Sequence, residues 1–508
     1  MTLERLIEPG LPPLAWLFQT LPGGRGRLLH GLAVWTHDEG FLEGCLGAES
    51  DADPAQATNV FGSALARGRH AWHFVTPSHT LESLYFYRRA GGWSVSNSLA
   101  LLAAHHGIEP PWDPLYGAKF ASMCLGIEKY EKTLWRTIEG EMLRVAHDNV
   151  ELTFGGEFRL VPKALPPSFR SFEEYVHHVG DSLRLAFRHA AATARDVAYS
   201  PVTTCSSGYD SACAAALASR VGCREGITLR LSREGQPDSG RPIGELLGLS
   251  MAEIDRPITV EGNFDEVSDF FATGMGGEDY AFKGFGPHVG GRILLSGFHG
   301  GRLWSVNKAP NPAIVRGDLS GSSLQEFRLW KNFIHIPVPM IGAQRHPEIA
   351  AISRSPEMAR YRLNNAYDKP IPRRIVEEAG VPRSHFGQHK RAVSMPLFLG
   401  SRLLGVANRR ECEAAVPKPM VGAAKYSWRR ASWEVRCHAN VLLNRFGKRI
   451  PRRWRLQRAL VGEWRVFEHS SPWAALEFLA GLRVVRRRYR EVLNARSRVT
   501  GTPVSAAW

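Results

Sequence analysis

The stretch Thr203-Thr204-Cys205-Ser206-Ser207-Gly208-Tyr209-Asp210-Ser211 decides the fold of this chain. It begins at the end of a strand-forming run, Val197–Thr204, and leads into a run of small residues, Ser211–Val221, that is typical of a helix. A second strand-forming run, Ile227–Leu231, follows. A strand, loop, helix, strand order predicts a parallel sheet covered by helices.

The same stretch has the composition of a phosphate-binding loop. Small side chains let backbone N–H groups approach a phosphate closely, and the N-terminus of the following helix favours an anion. The hydroxyls of Ser206, Ser207 and Ser211 would add hydrogen bonds. A carboxylate beside phosphates, Asp210, indicates a bridging Mg²⁺. The alternative is a plain strand-to-helix turn in which Asp210 caps the helix, because Ser, Gly and Asp all favour turns and caps.

Two motifs resemble those of a known family. The loop resembles the S-G-G-x-D-S pyrophosphate loop of ATP-pyrophosphatases, with Ser207 in place of the middle Gly. Ninety residues further on, Ile293–Trp304 (ILLSGFHGGRLW) resembles the second motif of asparagine synthetases, which reads roughly L-S-G-x-G-x-D-E. Their order and separation identify the chain as similar to the asparagine synthetase family.

The resemblance implies that residues 166–401 form a parallel-sheet ATP-binding domain of the adenine nucleotide α-hydrolase-like (PP-loop) class. It implies ATP and Mg²⁺ as cofactors, with Asp210 as the metal ligand and with Glu278 and His299 on the substrate side. Gly387–Val393 (GQHKRAV) resembles the region that carries a catalytic lysine, here Lys390. The implied nucleotide-binding residues are Ser206, Ser207, Gly208, Asp210, Ser211, Leu231, Ser296 and Gly297.

The second motif departs from the family pattern. Gly301-Arg302 stands where the acidic pair is expected, and this removes a Mg²⁺ ligand. Glu278 and Asp279 would supply a replacement from the preceding loop, although a solvated acidic turn is favoured for that pair. Arg302 would hold phosphate by itself, because a guanidinium matches phosphate geometry.

Residues 1–165 read as β-rich, with strands expected at Gly31–Thr36 and Ala71–Thr76. Hairpins are predicted for Ser83–Tyr87 with Trp93–Ser96, and for Glu141–Ala146 with Val150–Phe154. The region around Trp93–Ser96 is similar to the glutaminase domain of such synthetases, which implies an Ntn-hydrolase-like sandwich. An active glutaminase needs Cys as residue 2, and this chain has Thr2, so no glutaminase activity is expected.

A Pro-rich linker then leads to Ser171 and Glu174, an S-x-x-E pattern that predicts the start of a helix. The last region, residues 402–508, holds most of the net charge of +15: it has 23 Lys and Arg against 7 Asp and Glu, whereas the other 401 residues sum to about −1. Clustered Arg with interleaved Trp would contact nucleic acid or a membrane. A helical extension that packs its Trp and Leu residues is favoured.

The function expected from the resemblance is an AMP-forming amide ligase that activates a small-molecule or peptide carboxylate. A lasso-peptide-type macrolactam cyclase uses the same pair of domains and stays open, as does a degenerate nucleotide-binding scaffold. A homodimer is also left open. The seven cysteines are irregularly spaced and no C-x-x-C occurs, which favours a reducing compartment, the cytoplasm.

Overall fold

The computed structural model describes residues 3–49, 52–257, 264–394, 404–446 and 453–500. The described strands are β1 (Leu3–Ile7), β2 (Trp16–Leu21), β3 (Arg25–His30), β4 (Trp35–His37), β5 (Gly40–Leu46), β6 (Val60–Arg67), β7 (Ala71–Val75), β8 (Leu84–Arg89), β9 (Gly92–Ser96), β10 (Thr133–Arg136), β11 (Glu141–Val145), β12 (Asn149–Thr153), β13 (Phe158–Val161), β14 (Ser200–Thr204), β15 (Glu225–Leu229), β16 (Ser250–Ile254), β17 (Arg292–Ser296) and β18 (Phe333–Pro337).

The described α-helices are α1 (Leu99–His106), α2 (Tyr116–Ala121), α3 (Phe172–Ala190), α4 (Tyr209–Arg220), α5 (Arg241–Leu246), α6 (Phe264–Phe271), α7 (Gly286–Val289), α8 (Gly300–Leu303), α9 (Gln325–Lys331), α10 (His346–Arg354), α11 (Pro370–Glu378), α12 (Val406–Ala414), α13 (Lys418–Tyr426), α14 (Trp428–Phe446), α15 (Arg453–Val461), α16 (Trp464–Glu468) and α17 (Pro472–Thr500). The chain is therefore a mixed α/β protein with several sheets.

The first thirteen strands form two sheets that pack face to face. One sheet has the order β1-β3-β2-β9-β8-β11-β10 and the other has the order β13-β12-β7-β6-β5-β4. Large aromatic side chains fill the space between them, with Trp16 against Phe41 at 4.7 Å and Phe18 against Trp72 at 5.0 Å between ring centroids. Strand alternation sends every second side chain to this interface, so burial of these rings stabilises the sandwich.

Local sequence signals predicted part of this sandwich. The hairpin of β8 and β9 is confirmed, and so is a strand at Ala71–Val75. The expected hairpin of β11 and β12 is wrong, because β11 pairs with β8 in one sheet and β12 pairs with β7 in the other. His147 lies between them with a φ of 70°, a left-handed conformation that turns the chain from one sheet to the other.

The expected strand at Gly31–Thr36 is also wrong. Strand β3 ends at His30, and β4 begins only at Trp35. A side chain at Gly31 would place its Cβ only 2.3 Å from the Pro12 carbonyl oxygen. Glycine therefore allows two backbone segments to touch here, and the strand is interrupted.

Helix α3 begins where the S-x-x-E pattern predicts. The Ser171 hydroxyl accepts a hydrogen bond from the Glu174 N–H at 3.1 Å, and the Glu174 carboxylate accepts one from the Arg170 N–H at 2.6 Å. The apolar residues of the helix that recur at helical spacing face the core, including Tyr175, Val179 and Leu183. The helix packs on β5 on one side and on α4 on the other, which connects the sandwich to the region that follows.

The third sheet is parallel and has the order β16-β15-β14-β17-β18. The chain builds this sheet outward from β14 in one direction through β15 and β16, and then returns to add β17 and β18 on the other side of β14. The parallel sheet expected from the strand, loop, helix, strand pattern is confirmed.

Helix α17 joins the two regions from the C-terminal end. It packs against α1 beside the sandwich and against α6 beside the parallel sheet. Its densest basic run is used for internal contacts: Arg487 pairs with Asp265 at 2.8 Å, and Arg488 pairs with Asp269 at 2.7 Å. Within the described residues, no helix is both long enough and apolar enough to cross a membrane.

A buried guanidinium also connects the sandwich with the parallel sheet. Arg328 on α9 lies 2.6 Å from a Glu43 oxygen on β5 and 2.8 Å from a Glu82 oxygen. All three side chains are almost fully buried. One cation therefore compensates two carboxylates that are held away from water.

We expect Arg328→Met to lower the free energy of unfolding by about 3–5 kcal/mol, because it leaves two buried carboxylates without a counter-ion. Urea denaturation measures the change. Arg159→Met is the matched control: Arg159 also lies beside two carboxylates, at 2.5 and 3.5 Å, but it is exposed. Its loss should cost less than about 1 kcal/mol. Equal effects of the two substitutions would contradict this account.

A second prediction concerns Glu477 on α17. Burial raises the pKa of this carboxyl from an ordinary 4.5 to about 8, and Arg409 only partly opposes the shift. The folded protein therefore binds the proton more tightly than the unfolded chain does. The stability that Glu477 contributes is full below about pH 4.5 and is lost as the pH rises towards 8.

We expect Glu477→Gln to flatten the decline in stability between pH 5 and 8, at about 1.4 kcal/mol for each unit of the pKa shift. Urea denaturation at several pH values measures it. Glu491→Gln removes an exposed carboxylate from the same helix and should leave the profile unchanged. If the stability of the Glu477→Gln variant depended on pH in the same way as that of the parent protein, the prediction would be refuted.

Candidate functional site

The candidate site is the crevice at the carboxyl ends of β14 and β17. These adjacent strands lie where the strand order reverses, which is the position at which open parallel sheets bind ligands. The expected phosphate loop follows β14, and the second motif follows β17. A Cβ at Gly297 would lie 2.5 Å from both the carbonyl carbon of Asp210 and the amide nitrogen of Ser211. The two motifs therefore touch, and only a glycine allows it.

The loop after β14 is organised by its own hydroxyl groups. The Ser206 and Ser211 hydroxyls lie 2.7 Å apart, and the Ser207 hydroxyl donates to Asp238 at 2.6 Å. Helix α4 starts at Tyr209 after Gly208, and no side chain caps its first N–H groups. Asp210 lies inside the first turn, so the alternative in which it caps the helix is wrong. The uncapped N-terminus of α4, which is the positive end of the helix dipole, faces the crevice.

Asp210 is paired with a lysine from a distant segment. The Lys369 ammonium lies 2.6 Å from one carboxylate oxygen of Asp210 and 2.7 Å from the other. Lys369 is buried, whereas the Asp210 side chain is about a quarter exposed. Gly300 leaves the space for this pair, since a Cβ there would lie 2.7 Å from the Asp210 Cγ.

The carboxylates do not fit a resident Mg²⁺. Asp279 is buried and accepts hydrogen bonds from the Gly321 N–H at 2.8 Å and from the hydroxyls of Ser323 and Ser394. Glu278 is also buried, and its carboxylate lies 3.2 Å from His469 Nε2, so the solvated acidic turn favoured for this pair is wrong. Within the part of the chain that the structure describes, no group of three or more His, Cys, Asp or Glu side chains is arranged to hold a metal ion.

Part of the second motif packs into the parallel sheet that forms the floor of the crevice. The Ser296 hydroxyl is buried and lies 2.8 Å from Nε2 of His335 on β18, so it faces the sheet. Burial lowers the pKa of His335 to about 3, and its imidazole is neutral. His299 adopts a left-handed φ of 77°, and burial lowers its pKa well below the usual range. Histidine adopts this conformation more readily than most residues do, and here it forms the turn that leads into α8.

The segment that carries Lys390 runs alongside the phosphate loop. The Gly387 N–H donates to the Ser207 carbonyl at 2.8 Å, and Gly387 packs on the Tyr209 ring. Lys390 itself is exposed. Leu231 lies beyond the end of β15, half-buried in a turn that pairs with Pro237.

No family model matches this chain, and no curated protein matches it.

Sequence reasoning did not select Lys369 or Asp238 for the site. Lys369 belongs to the segment Tyr367–Arg374, which falls where the synthetases that the chain resembles approach the active site, but the sequence assigns no role to its residues. Asp238 lies in a loop whose composition gives no signal of binding, and the fold brings both residues to the start of α4. The neighbouring Arg373 is buried, with its guanidinium 5.2 Å from the Tyr209 ring centroid. Arg373 therefore packs against α4 and stabilises its position.

The two adjacent glycines of α8 give a matched test of this geometry. Gly300→Ala places a Cβ against Asp210, and we expect it to lower the free energy of unfolding by about 1–3 kcal/mol. Gly301→Ala places its Cβ 3.7 Å from the Asp210 oxygen, an ordinary contact distance, and should change stability by less than about 0.5 kcal/mol. Urea denaturation measures both, and a larger loss in Gly301→Ala would refute this packing.

Proposed function

We propose that the chain binds ATP in the crevice and uses it, as an asparagine-synthetase-like ligase, to activate a small-molecule or peptide carboxylate. The contact between the two motif loops carries the proposal. Gly297 brings the second motif against the first turn of α4 at the reversal of strand order. Two motifs that are ninety residues apart in the sequence thereby line one crevice.

The chemistry of the crevice suits phosphate. The first N–H groups of α4 have no side-chain cap, and the small residues Ser206–Gly208 leave room for a close approach. Lys369 supplies a buried cation at the same position. An anion held here would accept hydrogen bonds from backbone and ammonium donors in a partly dry environment, where such bonds are strong.

In the proposed reaction, a substrate carboxylate oxygen attacks the α-phosphorus of ATP. A new O–P bond forms, the bond to the β-phosphate breaks, and pyrophosphate leaves. An amine or ammonia then attacks the acyl carbon, AMP leaves with the electron pair of the acyl C–O bond, and the amine gives up a proton. The exposed Lys390, on a segment anchored to Ser207, is suited to neutralise the phosphate charge that develops.

A nucleotide-binding scaffold is the second candidate. The pairing of Asp210 with Lys369 favours it, because the carboxylate is already neutralised by a side chain. Gly301-Arg302 in place of an acidic pair favours it too. Thr2, the residue from which loss of glutaminase activity is expected, lies outside the described residues.

We also propose a reducing compartment, the cytoplasm. The structure describes seven cysteines, all with free thiols, and six of them are buried. Burial raises the pKa of the Cys45, Cys124 and Cys205 thiols to about 12, so these side chains stay protonated and unreactive.

A substitution that fills the space at the phosphate loop tests nucleotide binding. Gly208→Val adds a branched side chain to the loop, where its Cβ would lie 3.4 Å from the Ser206 Oγ and 3.8 Å from the Tyr367 hydroxyl. We expect it to obstruct the loop and to weaken ATP binding at least tenfold, or about 1.4 kcal/mol. Isothermal titration calorimetry with ATP measures the affinity. Gly91→Val is the control, because Gly91 lies in the β8–β9 turn with open space around it. Equal affinity of both variants would place the nucleotide elsewhere.

Catalysis is tested separately with Lys390→Ala. The protein is incubated with ATP and pools of carboxylates and amines, and AMP is quantified by chromatography. A ligase forms AMP with at least one pool, and Lys390→Ala should lower that rate by about a hundredfold or more while it retains ATP binding. Lys129→Ala changes an exposed lysine of the sandwich and should keep the parental rate. ATP binding without AMP formation from any pool would favour the scaffold.

A further inference from the structure

We infer that the crevice binds the polyphosphate of its nucleotide without a divalent metal ion, and that Lys369 together with a group of neighbouring cations replaces the metal. The inference rests on the proposed nucleotide binding, since it concerns the same ligand. It differs from what the family resemblance implies, namely a Mg²⁺ held by Asp210. Three observations carry it.

The first observation is that Asp210 is already occupied. The Lys369 ammonium contacts both of its carboxylate oxygens. A metal ion on Asp210 would have to displace this ammonium and would leave a buried cation beside it. The rings of Tyr209 and Tyr367 also lie near the Lys369 ammonium, at 6.0 and 5.2 Å, but aromatic rings cannot neutralise its charge. Like charges at such short range in a partly buried site repel strongly.

The second observation is that the position facing this pair carries no carboxylate. A Cβ at residue 301 would lie 3.7 Å from the Asp210 Oδ2 and 3.9 Å from the Lys369 Nζ. An acidic side chain there would face both groups and complete a pair of carboxylates. The chain has glycine, so Asp210 and Lys369 sum to zero charge. Mg²⁺ is held in proteins by one or two carboxylates together with substrate phosphates. Here Asp210 is compensated by Lys369, and Asp238 accepts the hydrogen bond of the Ser207 hydroxyl.

The third observation is a group of cations beside α8, formed by Arg302, Lys308, Lys390 and Arg465. Arg302 donates to the Ala309 carbonyl at 3.0 Å, while its buried Nε has no acceptor in the described structure. Desolvation lowers the pKa of Lys308, and the nearby charges of Arg465, Lys390 and Arg302 lower it further. The positive charges of these four side chains therefore lie close enough to repel one another.

These cations have little compensation from the protein. Glu463 lies 3.8 Å from Arg465. Among the described residues, no carboxylate forms an ion pair with Arg302, Lys308 or Lys390. Arg302 lies on α8, which follows the second motif, and Lys390 lies three residues after Gly387, which donates to the Ser207 carbonyl. Such an arrangement favours a polyanion, and an arginine matches phosphate oxygens with its planar donors.

The test is the metal dependence of binding. Isothermal titration calorimetry with ATP, and separately with pyrophosphate, is carried out in MgCl₂ and in EDTA. We expect dissociation constants that agree within about threefold, because the cations belong to the protein. Binding at least tenfold weaker in EDTA would overturn the inference while the proposed nucleotide binding stands. Binding in neither buffer would overturn both.

Two variants make the test specific. Gly301→Asp adds the missing carboxylate at an exposed position with no left-handed backbone, so the protein should fold. We expect it to weaken ATP binding in EDTA by about tenfold and to restore it in MgCl₂. Metal-independent binding as tight as that of the parent would overturn the inference.

Lys369→Met removes the central cation, and we expect ATP binding in EDTA to weaken at least tenfold. Lys129→Met, an exposed lysine on the sandwich, should bind ATP as the parent does. Circular dichroism confirms that each variant is folded. Parental affinity of a folded Lys369→Met in EDTA would show that Lys369 does not take the place of a metal.

Discussion

The parallel register of β14 and β17 is the constraint on which the crevice depends. Ser200 pairs with Arg292 and Thr203 pairs with Leu295, so the two strands end at the same height and their loops meet. The side-chain period of a strand is two residues, so a slip of one residue would exchange the side chains that β17 presents to the two buried faces of the sheet. It would also move Gly297 away from α4. The register is therefore held by the packing of both faces of the sheet, and the site follows from it.

Ion pairs connect the larger parts of the molecule. Arg328 is compensated by two carboxylates of the sandwich, and the arginines of α17 are compensated by Asp265 and Asp269 on α6. The basic C-terminal run thus has a structural use that its composition did not reveal. Several of its arginines pair with acidic groups from the rest of the chain, which the count of basic residues alone could not show.

Signals that act over a few residues predicted their elements well. The turn between β8 and β9, the cap of α3 and the loop before α4 each follow from neighbours in the sequence. The sheet in which β12 lies could not be predicted, because its alternating pattern fits either partner. Lys369 was missed for a related reason: it is 159 residues from Asp210, and nothing in its local sequence indicates that partner.

One contact beneath the crevice links the two halves of the molecule. His335 lies between the Ser296 hydroxyl and the ring of His79, whose centroid is 6.3 Å away in the sandwich. The floor of the crevice is therefore built partly by residues that precede the parallel sheet in the sequence. Even without glutaminase activity, the sandwich would still be needed to support the floor of the crevice. A fragment that starts at residue 166 would lose this support and would leave Arg328 without its two carboxylates, so the region of the parallel sheet is not a portable module.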